Sequence, residues 1–276
     1  MDHFSQATLF FDSMSEPEKA HIVDALRFEL GKVETVAIRQ RMIGILSQID
    51  KGLAHEVAYG LGLNVPAEPE QPINHGVPAD ADPHDYQPIS VQGSVSTSPA
   101  LSMAGTVKNS IKTRKIAILL ADGVDGAALK VMQKALTAEG AVVELIAPRL
   151  GQVVAADGTA VPVNKSFLTA ASVLYDAVYV PGGVNSVATV AATADAVHFL
   201  NEAFKHCKAI AADAAARQVL EATYFFAKLP PADNEAAGLR EGVVVSADGS
   251  VLARQFVAAI KQHRFWEREK PRKVPA

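Results

Sequence analysis

Uninterrupted apolar runs alternate with amphipathic stretches in the second half of the chain. Residues 115–121 form one such run after a single lysine, as is typical of a parallel strand covered on both faces. Residues 127–139 carry apolar positions at helical spacing and stop at Gly140, a usual residue at a helix end. The same succession predicts further strands at 141–146, 177–180 and 208–212, and further helices at 186–204, 214–222 and 251–266.

Two Asp-Gly pairs lie between residues that alternate apolar and polar, a pattern that predicts β-hairpins. The first hairpin is predicted at 153–163 and the second at 243–251. Strands that alternate with helices through short connections predict an α/β fold with a flavodoxin-like, doubly wound and mostly parallel sheet. Ligands of such sheets bind beyond the carboxyl ends of the strands.

The first 64 residues show helical periodicity alone. Ser15 and Glu18 have the spacing of a capping box, in which each side chain satisfies a backbone N–H of the first turn. Apolar residues follow in two helical stripes, at 22–30 and 33–49, and glycines at 60 and 62 end the region. About 60 residues are marginal for an independent core. We therefore expect this all-α segment to pack on another part of the protein.

Composition changes between the helical segment and the α/β region. Seven prolines lie there among Glu, Asp, Ser, Gly and Gln. Such a segment buries too little apolar surface to offset its ordering entropy, which predicts a linker. The predicted organisation is a helical segment at 1–64, a proline-rich linker at 65–112 and an α/β domain at 113–276.

Charge and composition exclude several classes of function. The 276 residues are 49% hydrophobic and carry a net charge of −4, so sequence-independent binding to nucleic acid or to an anionic membrane is disfavoured. No apolar run approaches the roughly 18 residues of a membrane span, and the first residues do not resemble a signal peptide. The single cysteine, Cys207, allows no internal disulfide. We expect a soluble, cytoplasmic protein.

Two predicted strand ends carry glycines at the edge where a ligand would bind. Asp122 and Gly123 follow the first strand, but the glycines there have only G-x-x-G spacing, which favours a plain turn over a dinucleotide site. Gly182 and Gly183 follow the strand at 177–180. Their backbone N–H groups suit either an oxyanion donor or a simple turn, and the sequence favours neither.

A third strand end, at Ala211, Ala212 and Asp213, has the setting of a nucleophile elbow. A working elbow needs Cys or Ser at its tip, where alanines stand here, and we predict that Asp213 caps the next helix. Cys207 precedes the strand and is predicted to be a buried structural residue. His198 and His206 are eight residues apart on one helix, a spacing that does not converge on a metal, so no metal site is predicted.

Residues 115–222 resemble the DJ-1/PfpI branch of the class I glutamine amidotransferase-like fold. The matching pieces are KIAILLADG, YVPGG and KAIAA. The resemblance places the family's acidic active-site residue at Ala128 and its nucleophilic cysteine at Ala211, so it implies that both catalytic groups are lost. It also implies a relic pocket, which would comprise Asp122, Gly123, Gly182, Gly183, Ala212 and Asp213.

The flanking segments resemble the C-terminal region of a large-subunit haem catalase. HIVDALRFELGKVETV near the start and FVAAIKQHRFWERE near the end carry this resemblance, as does the order of helices, linker and degenerate amidotransferase-like domain. The resemblance implies a peroxide-removing, homotetrameric enzyme whose haem barrel is expected upstream of Met1. No cofactor is expected in this chain, and alone it is expected to be inactive.

Three hypotheses follow from the resemblance. The favoured one is a non-catalytic module that supports the catalase oligomer and binds unfolded proteins through the apolar stripes of residues 17–50. The second is part of an active haem catalase whose haem-containing core is supplied upstream or by another chain. The third is a hydrolase of the DJ-1 type, which the alanine at position 211 argues against.

Overall fold

A computed structural model describes residues 2–69, 72–89, 93–106, 108–229 and 240–269 of the chain. The chain divides into two compact units, Met1–Thr106 and Val107–Ala276. Within the described ranges, every helix is too short or too polar to span a lipid bilayer.

The first unit contains four α-helices: α1 (Ser5–Asp12), α2 (Glu16–Gly31), α3 (Val36–Ile49) and α4 (Lys51–Leu61). The capping box predicted at the start of α2 is present, with Glu18 accepting a hydrogen bond of 2.8 Å from the Ser15 backbone. The second predicted stripe, 33–49, corresponds to α3, and Asp50 then ends α3 and caps α4 by accepting from the Leu53 N–H at 2.7 Å. Gly62 ends α4 with a φ of 67°.

A small core holds these helices together. Its buried members come from all four helices: Phe11, Leu30, Ile43, Leu46, Leu53, Ala54, Val57 and Ala58. The regular elements among the described residues that follow are short 3-10 turns, at Pro83–Tyr86, Pro99–Leu101 and Met103–Gly105. One of these turns is attached to α2, because Glu18 accepts hydrogen bonds of 2.7 Å from the Ser102 hydroxyl and from the Met103 N–H.

The second unit is a doubly wound α/β fold of the predicted flavodoxin-like kind. Its strands are β1 (Lys115–Leu119), β2 (Val142–Ala147), β3 (Gly151–Val154), β4 (Ala160–Val163), β5 (Lys165–Ser166), β6 (Ala177–Val180), β7 (Ala209–Asp213) and β8 (Val243–Ser246). Its helices are α5 (Gly126–Ala138), α6 (Val184–Ala192), α7 (Ala194–Lys205), α8 (Arg217–Glu221) and α9 (Gly249–Lys261). Six strands form one parallel sheet in the order β5-β2-β1-β6-β7-β8. Strands β3 and β4 form the first predicted hairpin.

Two details of the predicted elements are wrong. The second hairpin is not formed: β8 ends at Ser246, and Asp248 caps α9 by accepting from the Val251 N–H at 3.0 Å. An Asp-Gly pair suits a helix start as well as a hairpin turn, which explains the error. The long helix predicted at 186–204 is two helices, separated at Thr193.

Burial on both faces explains why β1 is a continuous apolar run. Ile116 and Ile118 belong to a core that includes α5 and α9, whereas Ala117 and Leu119 belong to a core that includes α6, α7 and α8. Strand order reverses between β1 and β6, so the connections leave these neighbouring strands toward opposite faces. Such a switch point opens a crevice at the carboxyl edge of the sheet.

Candidate functional site

Glycines at the ends of β1 and β6 allow the two turns to touch at the switch point. The Asp125 N–H donates to the Gly182 carbonyl oxygen at 2.9 Å. Gly183 has a φ of 111°, and a β-carbon there would collide with the Gly123 carbonyl oxygen. The two turns can therefore approach this closely only with glycine at position 183.

Asp213 lies at the end of β7 and joins this arrangement through its side chain. One carboxylate oxygen accepts from the Tyr179 hydroxyl at 2.9 Å, and the other accepts from the Gly182 N–H at 2.6 Å. The prediction that Asp213 caps the next helix is wrong, because its side chain makes no capping hydrogen bond. β7 continues through Asp213, which directs the carboxylate across to the neighbouring strand β6.

Burial raises the pKa of Asp213, and the nearby Asp125 carboxylate raises it further, against the hydrogen bonds from Gly182 and Tyr179. Burial also raises the pKa of the Tyr179 hydroxyl well above its ordinary value, with help from the charges of Asp213 and Asp125. Tyr179 therefore stays a hydrogen-bond donor. The Gly182 N–H, one candidate for an oxyanion donor, is bound to the Asp213 carboxylate.

The sequence-predicted elbow lies deeper in the sheet than expected. Ala211 is fully buried within β7, where it pairs with Tyr179 on one side and Val244 on the other. Ala212 is equally buried but belongs to the opposite core. The strand ends two residues beyond Ala211, and none of residues 211–214 has the positive φ of a strained turn. The side chain at the strand end is therefore the carboxylate of Asp213.

The other predicted pocket positions separate into two groups. Gly123, Gly182 and Gly183 meet beside Asp213. Asp122 instead ties the end of β1 to the β3–β4 hairpin, because it accepts from the Val154 N–H at 2.8 Å and lies 3.6 Å from Arg149. Ala128 is half-buried in the first turn of α5, where its N–H donates to Asp125 at 3.1 Å.

Sequence reasoning missed two contributors to this site. Tyr179 is the one hydroxyl-bearing residue in the otherwise aliphatic strand β6, and a polar group in a fully buried strand signals a buried partner. Ser186 is also buried, and its hydroxyl accepts from the Ala121 N–H at 2.9 Å, which links α6 to the end of β1.

The residues at this site are poorly suited to nucleophilic catalysis. A carboxyl group that is held by two hydrogen bonds and has a raised pKa is a poor nucleophile. Cys207 lies fully buried after α7, at the other end of β7 from Asp213. Within the described ranges, no group of three or more His, Cys, Asp and Glu side chains is placed to hold a metal ion.

Comparison with known proteins identifies the family. Residues 112–270 match the C-terminal domain found in long catalases, and residues 1–61 match the catalase-related immune-responsive family. This chain belongs to the catalase family. It is 38% identical to Catalase HPII of Mycobacterium avium over 97% of the chain, and 38% identical to Catalase HPII of Pseudomonas aeruginosa over 100% of it. It is 33% identical to Catalase-2 of Bacillus subtilis over 97% of the chain. The chain spans about a third of these catalases: 36%, 35% and 34% of their lengths, respectively.

The catalase family implies haem, and the three tyrosines of the second unit can be compared with the axial phenolate that haem catalases use as a ligand. The Tyr175 hydroxyl donates to Glu144 at 2.6 Å and the Tyr179 hydroxyl donates to Asp213, and both have raised pKa values, chiefly because they are buried. Burial raises the pKa of Tyr224 to about 12. These three hydroxyls hold their protons and do not fit the role of a haem ligand.

Proposed function

We propose that this chain is the non-catalytic C-terminal module of a long, cytoplasmic catalase, and that it supports assembly and stability of the catalase tetramer. The observation that carries the proposal is the filled site at the switch point. In place of a nucleophile, the strand end presents the carboxylate of Asp213. That carboxylate occupies the Gly182 N–H, which would otherwise be available to a reacting oxygen.

Features of the second unit favour a stabilising role. Its sheet is buried on both faces, and the contacts between Asp213, Tyr179 and Gly182 join two strands at the edge where a related enzyme would keep an open pocket. The two hydrophobic cores of this domain are intact, so it can still pack against other parts of the enzyme. Because the Gly182 N–H is already bonded to Asp213, that group is not free to bind a reacting substrate.

The test is whether this chain restores the tetramer and the heat resistance of a truncated relative. Catalase HPII of Pseudomonas aeruginosa, lacking the third of its length that this chain matches, is produced alone and together with this chain. We expect the chain to co-purify with the truncated enzyme, to restore its tetramer in light scattering, and to lengthen the half-life of peroxide decomposition on heating. A truncated enzyme that is already tetrameric and equally heat-resistant, and that does not bind the chain, would contradict the proposal.

A second candidate is participation in an active haem catalase, with the haem-containing core supplied upstream or by another chain. Its support is the coverage of the relatives, which leaves about two thirds of each catalase outside the match. The same co-production experiment tests it. Activity per haem that rises when the chain is present, at constant tetramer content, would favour direct participation over a stabilising role.

Binding of unfolded proteins is a third candidate. It rests on large apolar side chains that the helices of the first unit leave exposed, among them Phe28 at 65% and Tyr59 at 78%. Suppressed aggregation of a heated client protein, weakened by Phe28→Ser, would support this role. Equal aggregation with and without the chain would exclude it.

A further inference from the structure

Three non-glycine residues of the described chain have a positive φ, and all three flank the amino-terminal edge of the sheet. They are Thr113 at 67°, Cys207 at 58° and His263 at 67°. Thr113 precedes β1, Cys207 precedes β7, and His263 follows α9. Each is followed by a basic residue, and these residues are Arg114, Lys208 and Arg264. Positive φ values are unfavourable for residues other than glycine, and they are found most often at functional sites.

The carboxylate of Asp176 lies among these cations. Arg114 lies 3.6 Å from Asp176, which also accepts from the Lys115 N–H at 2.9 Å. The side chain of Lys208 is buried, and its ammonium donates to the carbonyl oxygen of Ser172 at 2.5 Å and to the Ser172 hydroxyl at 3.3 Å. Neither Ser172 atom carries a compensating charge.

Positive charge is crowded here. Burial lowers the pKa of Lys208 to about 8, and Arg264 lowers it further, while Asp176 and Glu202 act in the opposite direction. Burial likewise lowers the pKa of Arg264, and Arg114 adds to the effect, while Asp176 acts in the opposite direction. Glu202 is shared with another cation, because it lies 3.7 Å from Lys205, and it also lies 3.3 Å from the ring of His206, whose pKa burial lowers.

The His263 imidazole supplies an unsatisfied polar atom at the same edge. Its side chain is only 9% exposed, and its Nδ1 atom has no hydrogen-bond partner among the described residues. Burial and then the charges of Arg264, Arg114 and Lys108, against that of Asp176, lower its pKa to about 4. The ring is therefore neutral at pH 7, with one nitrogen that donates and one that accepts.

We propose that Arg114, Lys208, Arg264 and His263 form a binding site for a small oxyanion, a carboxylate or a phosphate. A guanidinium presents paired N–H groups that match the oxygens of such an anion, and the charge of the anion would offset the crowding of the cations. The unpaired Nδ1 of His263 would gain a partner. This inference concerns the edge opposite the Asp213 site and does not depend on the proposed function.

The experiment is a titration of the full 276-residue chain, followed through its histidine ring resonances by NMR at pH 7. Inorganic phosphate is the first probe and acetate the second, each added at constant ionic strength up to tens of millimolar. The variant His263→Asn identifies the His263 signal by its loss, and asparagine tolerates the positive φ. We expect a saturable shift of the His263 signal and a raised His263 pKa. Tighter binding of phosphate would indicate a phosphate ligand, and tighter binding of acetate a carboxylate.

The variant Arg264→Gln should weaken this binding by about tenfold or more, the effect of losing one charge-assisted contact. Arg254→Gln is the matched control, because Arg254 is an exposed arginine of α9 and is not part of the cluster. If Arg264→Gln does not fold, as judged by circular dichroism, Arg114→Gln replaces it, since that side chain is 28% exposed. The proposal is overturned if neither anion shifts the His263 signal, or if the cluster variant binds as tightly as the control.

Discussion

Replacing Asp213 should separate the hydrogen-bonding role of this side chain from its charge. In Asp213→Ala the Tyr179 hydroxyl and the Gly182 N–H both lose their acceptor, although both residues are buried. Each unsatisfied buried donor costs about 1–3 kcal/mol, and Asp213 itself is partly exposed, so water can replace some of the loss. We therefore expect the alanine variant to lose about 2–4 kcal/mol of its free energy of unfolding.

Asp213→Asn should cost under about 1 kcal/mol, because the amide oxygen accepts from the Gly182 N–H and the amide nitrogen donates to the Tyr179 oxygen. For a unit of this size, the alanine variant should lower the unfolding midpoint by about 4–16 °C and the asparagine variant by at most about 4 °C. The chain has a single tryptophan, Trp266, which lies in the second unit, so its fluorescence follows the unfolding of that unit on heating.

Both variants also remove the titration of Asp213, so the pH dependence of their stability should differ from that of the unmodified chain. Because the folded pKa of Asp213 is raised above the ordinary value of 3.8, its protonated form is the one that folding favours. The corresponding stability is fully present below pH 3.8 and is lost as pH rises through the raised value. Asp213→Asn does not titrate, so its stability relative to the unmodified chain should increase with pH across that window. Equal losses for alanine and asparagine, or a stability of Asp213→Asn relative to the unmodified chain that does not change with pH, would refute this account of the site.

Three further substitutions test other parts of the structure. Gly183→Ala should destabilise the second unit by more than about 3 kcal/mol in urea unfolding, because the new β-carbon meets the Gly123 carbonyl. Gly158→Ala places its β-carbon in open space, so it should cost only the roughly 1–2 kcal/mol of a non-glycine residue at positive φ. Similar losses would argue against the close contact. Ala211→Cys should give no ester hydrolysis above the unmodified chain and should cost about 1–3 kcal/mol through overpacking, whereas turnover would revive the hydrolase hypothesis. Burial raises the pKa of Glu18, but hydrogen bonds from Ser102, Ser15 and Met103 outweigh it and leave the pKa lowered. The Glu18 carboxylate therefore stabilises the fold above its ordinary pKa of 4.5, and this effect is lost as pH falls. At pH 7, Glu18→Ala should lower the free energy of unfolding by about 2–3 kcal/mol, whereas Glu16→Ala, at an exposed position, should lower it little.

Local patterns predicted most of the fold. The apolar run of β1, the hairpin around Asp157 and Gly158, and the capping box of α2 are each decided by residues close together in the chain. The Asp-Gly pair at 248–249 does not form the predicted hairpin, because the same two residues begin a helix when an amphipathic stretch follows.

The site was predictable only in part. Sequence located the three strand ends, but it placed the elbow tip within β7, because an apolar strand gives no mark of where its pairing stops. The role of Asp213 depends on Tyr179 and Gly182, which lie more than 30 positions away and reach it only through strand order. The unpaired Nδ1 of His263 likewise depends on burial, which no local pattern reveals.

The most direct test of the central claim is to measure oxygen release from hydrogen peroxide by the purified chain mixed with haemin, beside haemin alone. The account predicts equal rates and an unchanged Soret band, because Tyr175, Tyr179 and Tyr224 have raised pKa values and the switch-point site presents only a hydrogen-bonded carboxylate. Oxygen release well above that of haemin, together with a shifted Soret band, would show that the chain binds haem productively and would contradict a non-catalytic module.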